Sequence, residues 1–306
     1  MTLQTSSSSI FRLLGGRAFY GEACKRDLHV IDQLIHERSL KLSRHPLWPM
    51  IRPLLFRIFR YEEAVRMADA IAPLPGLEAM QYLSSLLSLD LTLAGTENLP
   101  VQGAFILAPN HPTGIADGIA VFDALKNHRP DMAIFANRDA LRVAAGFRDL
   151  IIPVEWRAGE KSHAKSRDTL SMTARAFAEE RAVVLFPSGR IAYWNEGNLT
   201  ERPWQSSAVA LARRYEVPIV PAHITARNSG LFYFLAKHST ELRDMTVFHE
   251  LLNKKKFGFT ITFGRPIPHS RLVGEPADVT SALQAHTVHR LREDPHAVFE
   301  ALPPIR

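Results

Sequence analysis

Among the 306 residues there is a single cysteine, Cys24, which excludes an intrachain disulfide and any zinc site built on paired cysteines. No apolar stretch approaches the roughly 18 to 20 residues that a membrane-crossing helix needs. The first thirty residues lack both a compact apolar core and a small-residue cleavage site, so no secretory signal is read there. Internal repeats and long low-complexity tracts are missing as well. What is present is the composition of a folded chain, 46% hydrophobic and 22% charged, with a formal net charge of +6. A surplus of that sign favours an acidic partner: an anionic membrane, a phosphorylated substrate or nucleic acid.

Acidic residues are absent from Arg38 to Tyr61, a segment that carries Arg38, Lys41, Arg44, Arg52, Arg57 and Arg60. On a helical wheel Ile51, Leu54, Leu55, Ile58 and Phe59 share one arc, and the arginines from Arg52 onward lie outside it. That pattern fits a helix lying in a membrane surface, with Trp48, Arg52, Phe56, Arg57, Phe59 and Arg60 as contact residues. It equally fits a helix packed on the protein's own core with its arginines in water.

Up to about residue 95 the pattern is helical, with no period-two alternation. Beyond it, short apolar runs alternate with helical stretches. The runs are Ala104–Ala108, Met132–Ala136, Leu150–Val154, Ala182–Phe186, Pro218–Ile224 and Phe259–Phe263. Helical spacing appears over Ser166–Glu180, Trp204–Tyr215 and Val279–Arg292. The sequence therefore reads as α/β: a mixed, largely parallel sheet flanked by helices, preceded by an N-terminal helical membrane-association region. Its divisions are residues 1–95, 96–270, and 271–306 for the last helix and tail.

Such sheets bind ligands beyond the carboxyl ends of their strands, where two motifs fall. In Leu107–Gly118, His111 is the only group able to exchange a proton near neutral pH unaided. Asp117, six positions later, can hold its tautomer; such a pair contributes about 10²–10⁴-fold to a rate as a general base. The same residues also fit a loop cap and a helix N-terminal acid. In Val183–Ile191, Gly189 permits close backbone approach and Arg190 suits a phosphate. Ser188 is not in a nucleophile elbow, because Phe186 stands where the first glycine belongs. Lys254–Lys256 reads as a solvated basic run, and His286 with His289 as a surface pair rather than a metal face.

Taken in order, these motifs make the sequence resemble the glycerophospholipid acyltransferases that acylate lysophosphatidate and related lysolipids. Asn110, His111 and Asp117 match the family's first block. Phe186, Pro187, Ser188, Gly189 and Arg190 echo its Phe-Pro-Glu-Gly-Thr-Arg block, and Val217–Pro221 its Val-Pro-Ile-Val-Pro strand. Ile151–Arg157 fills the place of an apolar strand ending near a basic residue, and the likeness runs over about 85–270. There are two departures. Five residues rather than four separate His111 from Asp117, an insertion that Gly114 can absorb. Ser188 replaces a glutamate, with Arg190 displaced by one position. Both resemble the hemolysin-like branch, which includes ornithine-lipid acyltransferases, as do the stretch ARNSGLFYFL and the other features of Thr225–Pro266.

The resemblance implies O-acyl transfer from acyl-CoA or acyl carrier protein to a lysolipid hydroxyl, such as that of 1-acylglycerol 3-phosphate or of a lyso-ornithine lipid. His111 would be the base and Asp117 its orienting acid, and no metal or cofactor is implied beyond the acyl-CoA or acyl carrier protein co-substrate. Asn110, Arg157 and Phe186–Arg190 would bind substrate, with Arg138 a lesser candidate, and the backbone near Gly189 would stabilise the oxyanion. The expected location is the cytoplasmic face of a membrane, as a peripheral protein. A non-catalytic lipid-surface binding protein on the same scaffold is the alternative of another class. Nucleic-acid binding rests on net charge alone and ranks below both.

Overall fold

The computed structural model describes residues 28–155 and 162–300. Its strands are β1 (Asp90–Ala94), β2 (Phe105–Pro109), β3 (Ala133–Asn137), β4 (Ile151–Val154), β5 (Ala182–Val184), β6 (Tyr193–Asn195), β7 (Asn198–Thr200), β8 (Ile219–Thr225) and β9 (Gly258–Phe263). The helices before the site are α1 (Val30–Arg38), α2 (Trp48–Ile58), α3 (Tyr61–Ile71), α4 (Gly76–Leu87) and α5 (Ile115–Leu125). After it come α6 (Asp139–Val143), α7 (His163–Ala178), α8 (Ser207–Tyr215), α9 (Gly230–His238), α10 (Thr240–Met245), α11 (Val247–Leu252) and α12 (Pro276–Ala285).

Every residue of β2 is buried, and a strand with no polar face needs cover on both sides. It sits at the centre of a seven-stranded sheet in the order β1-β9-β8-β2-β5-β3-β4. All neighbours are parallel except β8 and β9. Alternation along β2 sends Phe105 and Leu107 into one core and Ile106 and Ala108 into the other. The first core is closed by α1, α3, α4, α5 and α11, through residues such as Leu34, Met67, Leu83, Ile119 and Leu251. The second is closed by α7, α8 and α12, through Phe177, Val209 and Leu283. Each large apolar side chain so buried contributes about 1.5–3 kcal/mol.

The sheet begins before residue 95, where no strand was expected. Asp90–Ala94 pairs parallel with β9, from Asp90 opposite Gly258 to Ala94 opposite Thr262. Five residues are too few to establish a period, and the partner strand lies far along the chain. The helices ahead of β1 are equally part of the fold, since Ile31, Met67 and Ile71 share one core with Phe105. The unanticipated hairpin β6–β7 is a two-stranded sheet of its own.

Two surface expectations are corrected. Lys254 is 1% exposed and its ammonium lies 3.0 Å from the Glu250 carboxylate, one helical turn back; only Lys255 and Lys256 are exposed. His286 and His289 do not form a surface pair. His286 is buried against Phe299 while His289 is exposed, because residues 286–290 form a π-helical turn.

No residue of α2 is buried. Leu47, Met50, Ile51, Leu54 and Ile58 are all exposed, Met50 to 77% and Leu54 to 60%. The helix therefore turns Met50, Ile51, Leu54 and Ile58 outward, while Leu55 and Phe56 pack partly against the first core. Phe59 is the exception: it is 4% exposed and belongs to the first core, so it is not a surface contact. Trp48 packs partly against that core. Phe56 stacks on Tyr61 at 4.3 Å. Arg52 pairs with Asp32 at 3.1 Å. Arg60 binds Glu63 and the Leu252 carbonyl, which leaves Arg57 as the exposed basic group of the three. No helix among the described residues is long and apolar enough to cross a membrane.

Candidate active site

Strands β2 and β8 are parallel neighbours, Ile106 opposite Ile219 and Pro109 opposite Ala222. Their following loops therefore leave the same edge of the sheet side by side. The loop after β2 carries Asn110, His111, Pro112, Thr113 and Gly114 into α5. Gly114 has φ +95° and ψ −124°, a conformation closed to L side chains. A Cβ there would also lie 2.7 Å from the Ile191 side chain. This glycine gives the loop the sharp turn between His111 and Asp117.

As a result, Asp117 comes to lie beside the imidazole. His111 Nδ1 is 2.9 Å from Asp117 Oδ2, although the approach is off the hydrogen-bond direction, as is common before substrate binds. Asp117 is fully buried, so its charge needs partners. The N–H groups of Thr113 and Gly114 donate to Oδ2 at 2.8 and 2.9 Å, and the Thr113 hydroxyl donates to Oδ1. Asp117 thus caps the N-terminus of α5 and faces the histidine at once. Because the carboxylate faces Nδ1, it favours the tautomer with the proton there and the lone pair on Nε2. Thr113 was not anticipated; a threonine four positions before the acid was its only trace in the sequence.

The histidine is fixed from both sides. Its N–H donates to Glu201 Oε1 at 2.8 Å, its carbonyl accepts from the Ala192 N–H at 2.9 Å, and its ring lies 4.3 Å from that of Phe186. Glu201 is buried, and its other oxygen accepts from the Trp204 indole N–H at 3.2 Å. Burial pushes its carboxyl above the usual range, opposed by the His111 N–H and by bonds from Trp204 and Ser188. Nothing local in the sequence marked Glu201, which reaches the loop from 90 residues away.

The Phe186–Arg190 turn lies on the far side of the ring. Phe186 is half-buried, Pro187 and Ser188 are buried, and Gly189 and Arg190 are exposed. The Ser188 hydroxyl donates to the Arg190 carbonyl at 2.8 Å. Gly189 has φ +59°, and its N–H closes the turn on the Phe186 carbonyl at 3.0 Å. That N–H is therefore not an open oxyanion donor. Arg190 makes no ion pair among the described residues.

Two further candidates are committed elsewhere. Asn110, expected to bind substrate, is buried with its carboxamide turned onto β8: Nδ2 donates to the Ile224 carbonyl at 3.0 Å and Oδ1 accepts the Ile224 N–H at 2.6 Å. Arg138 donates to Asp168 at 2.9 Å and to the Lys165 carbonyl. Arg157 lies outside the described residues. Among the described residues no group of three or more acidic, histidine or cysteine side chains is placed to hold a metal.

A cleft of about 660 Å³ opens between β6, the start of α9 and the segment before β9. Trp194, Tyr233 and Phe257 line it together with Arg227 and Asn228. Arg227 and Asn228 follow β8 as His111 follows β2, so this wall of the cleft and the histidine loop leave the same edge of the sheet.

The arrangement sets a largely buried imidazole between a buried carboxylate at Nδ1 and the Phe186 ring. Residues 90–225 match the family model described as Acyltransferase. A lyso-glycine lipid O-acyltransferase of Phocaeicola vulgatus is 28% identical over 199 residues, 63% of this chain and 70% of that protein. A protein of the same name from Bacteroides thetaiotaomicron is 26% identical over 199 residues, 63% of this chain and 71% of that one. Among solved structures, the 1-acyl-sn-glycerophosphate acyltransferase PlsC of Thermotoga maritima aligns with a TM-score of 0.45 and 15% identity, over 87% of this chain and all of that one. The likeness thus centres on residues 90–225, where the chain is similar to the Acyltransferase family, and extends over 199 residues to the two lyso-glycine lipid O-acyltransferases.

Proposed function

We propose that the protein is a lysolipid O-acyltransferase that uses an acyl thioester, carried by CoA or acyl carrier protein, and works from one face of a membrane as a peripheral protein. The observation that carries this reading is the 2.9 Å approach of His111 Nδ1 to the fully buried Asp117 carboxylate at the carboxyl edge of the sheet. His111 Nε2 takes the proton of the acceptor hydroxyl, whose oxygen attacks the thioester carbonyl. Asp117 steadies the imidazolium, which then returns the proton to the departing thiolate. No acyl-enzyme is needed. Arg190 is the basic group of the second motif left open for an anionic substrate group.

The outward apolar face of α2 supports membrane docking. Met50, Leu54 and Ile58 would enter the interface with Arg57 at the headgroups. Replacing Met50 and Leu54 by Glu is expected to release the protein from anionic vesicles in a sedimentation assay with its melting temperature unchanged; continued sedimentation would end the α2 assignment. The cytoplasmic leaflet is the side on which CoA and carrier-protein thioesters are made.

The acceptor is left as a class, lysophosphatidate or a lyso-amino-acid lipid of the ornithine or glycine type. Purified protein with radiolabelled acyl-CoA or acyl carrier protein, assayed against both kinds of acceptor, tests the reading. Acylated product should appear with at least one acceptor, and His111→Ala should lower the rate about 10²–10⁴-fold. An undiminished rate in that variant would remove the base assignment. Binding to vesicles without turnover on any acceptor would leave the non-catalytic lipid-binding protein.

A further inference from the structure

The stretch ARNSG after β8 makes no contribution to the His111–Asp117 pair, yet it forms one wall of the 660 Å³ cleft at the same edge of the sheet. Three observations there point the same way. Asn228 is 4% exposed, and neither its Oδ1 nor its Nδ2 has a hydrogen-bond partner. Two buried unpaired polar atoms are costly, about 1–3 kcal/mol each, and native structures keep such groups where a ligand or water completes them. Arg227 is exposed and makes no ion pair among the described residues. Immediately after them α9 begins, and the N–H groups of Gly230 and Leu231 are first-turn donors that helix geometry leaves without intrahelical partners.

The groups that line this corner leave it positive. Glu250 lies behind Ser229, not in the open cleft, and accepts from the Ser229 N–H at 2.9 Å and its hydroxyl at 2.5 Å. Burial opposes its ionisation, but those two bonds and the Lys254 ammonium hold its carboxyl below the usual range. Glu250 and Lys254 thus close on each other. Burial raises the Tyr233 phenol, which stays neutral and accepts the Asn228 N–H at 3.1 Å. Arg227 is the charge left over. Space is left over as well: a Cβ built on Gly230 meets nothing within 4 Å.

We propose that this corner is the seat of the acceptor's anionic headgroup, a carboxylate or a phosphate, held by Arg227, the Asn228 carboxamide and the first-turn N–H groups of α9. Trp194, Tyr233 and Phe257 flank the adjoining apolar part of the molecule. The assignment rests on the lysolipid-acylation reading and adds to it a second anchoring point besides Arg190. Because the loops after β2 and β8 leave adjacent parallel strands, a lipid held here by its headgroup lies along the edge that carries His111.

Trp194 in the cleft wall supplies a readout that needs no turnover. The whole protein is titrated, below micelle formation, with N-decanoylglycine, decyl phosphate and the neutral N-decanoylglycinamide; Trp194→Phe identifies the Trp194 share of the emission. At least one anion should change that emission saturably, and the neutral amide should bind about tenfold more weakly or worse, as expected for losing a charge-assisted bond. The anion that binds tighter decides between carboxylate and phosphate. Arg227→Gln should weaken that anion by a similar factor. Gly230→Leu, which fills the open space without changing charge, should abolish the signal at an unchanged melting temperature. Equal binding of acid and amide, or an Arg227→Gln variant that binds the anion as before, overturns the seat.

Acyl transfer is measured separately. Anion binding at this corner with no acylation of any lysolipid would retain the seat and end the acylation reading. Acylation with the acceptor KM unchanged in Arg227→Gln would do the reverse.

Discussion

Two asparagines at the same edge of the sheet meet opposite fates. Asn110 follows β2, and both ends of its carboxamide are taken by Ile224. Asn228 follows β8, and both ends of its carboxamide are unpaired. The backbone of the first loop is closed, since Thr113, Gly114 and His111 all direct their N–H groups to carboxylates. The second keeps an uncommitted guanidinium and an uncommitted amide. A loop that has to hold a base in one orientation gains from having every polar group satisfied. A loop that has to receive a charged ligand gains from the opposite.

The comparison can be broken most decisively at Asp117. In Asp117→Asn the carboxamide still accepts part of the loop's hydrogen bonding but loses the charge that steadies an imidazolium. Acyl transfer should fall about 10²-fold or more with only a small change in melting temperature. A few-fold loss would reduce Asp117 to a helix cap.

His223 tests the closed character of β8 itself. Burial holds it at about 4, and its Nδ1 lies 3.0 Å from the Thr287 carbonyl. The unfolded chain takes up a proton near pH 6.5 that the folded chain refuses, so this stability is complete above pH 6.5 and is lost as the pH falls toward 4. The full loss is about 3 kcal/mol. Chemical denaturation at pH 7 and pH 4.5 should show the decline, and His223→Gln should make it shallower. An identical slope in the variant would assign the acid sensitivity elsewhere.

The two asparagines then give the sharpest contrast, because one substitution is expected to act in opposite ways. Asn110→Ala strands the buried N–H and carbonyl of Ile224 and should cost about 2 kcal/mol or more in a urea titration. Asn228→Ala removes two atoms that have no partner and should change stability by about 1 kcal/mol or less, in either direction, while weakening anion binding. Equal destabilisation by both would mean that Asn228 is paired in solution and would remove the contrast.

Much of this was legible in the sequence. Six apolar runs gave six strands to within a residue or two, because strands buried on both faces need unbroken apolar stretches. His111 and Asp117 were legible because residue type limits proton transfer at neutral pH to few groups, and Gly114 because it alone tolerates the conformation between them. β1 and the hairpin β6–β7 were not, being too short to show a period. Glu201 was not, because its only link to the site is a hydrogen bond spanning 90 residues. The basic segment was read correctly in composition but only in part by residue: its arginines are alike in sequence, and Asp32 and Glu63 decide which of them are engaged.

The sequence by itself determined the layered α/β pattern, the closeness of His111 to Asp117 and the excess of positive charge, since each depends on residue type or on neighbours a few positions apart. The tertiary structure decided which polar groups are satisfied: Asn110 closed and Asn228 open, Lys254 buried on Glu250, Phe59 inside and the face of α2 outside. A hydrogen-bond partner is fixed by which strands lie side by side, and Asn110 meets Ile224 across 114 positions of chain. Residue type supplies the donors and acceptors, and strand order decides which of them remain for a ligand.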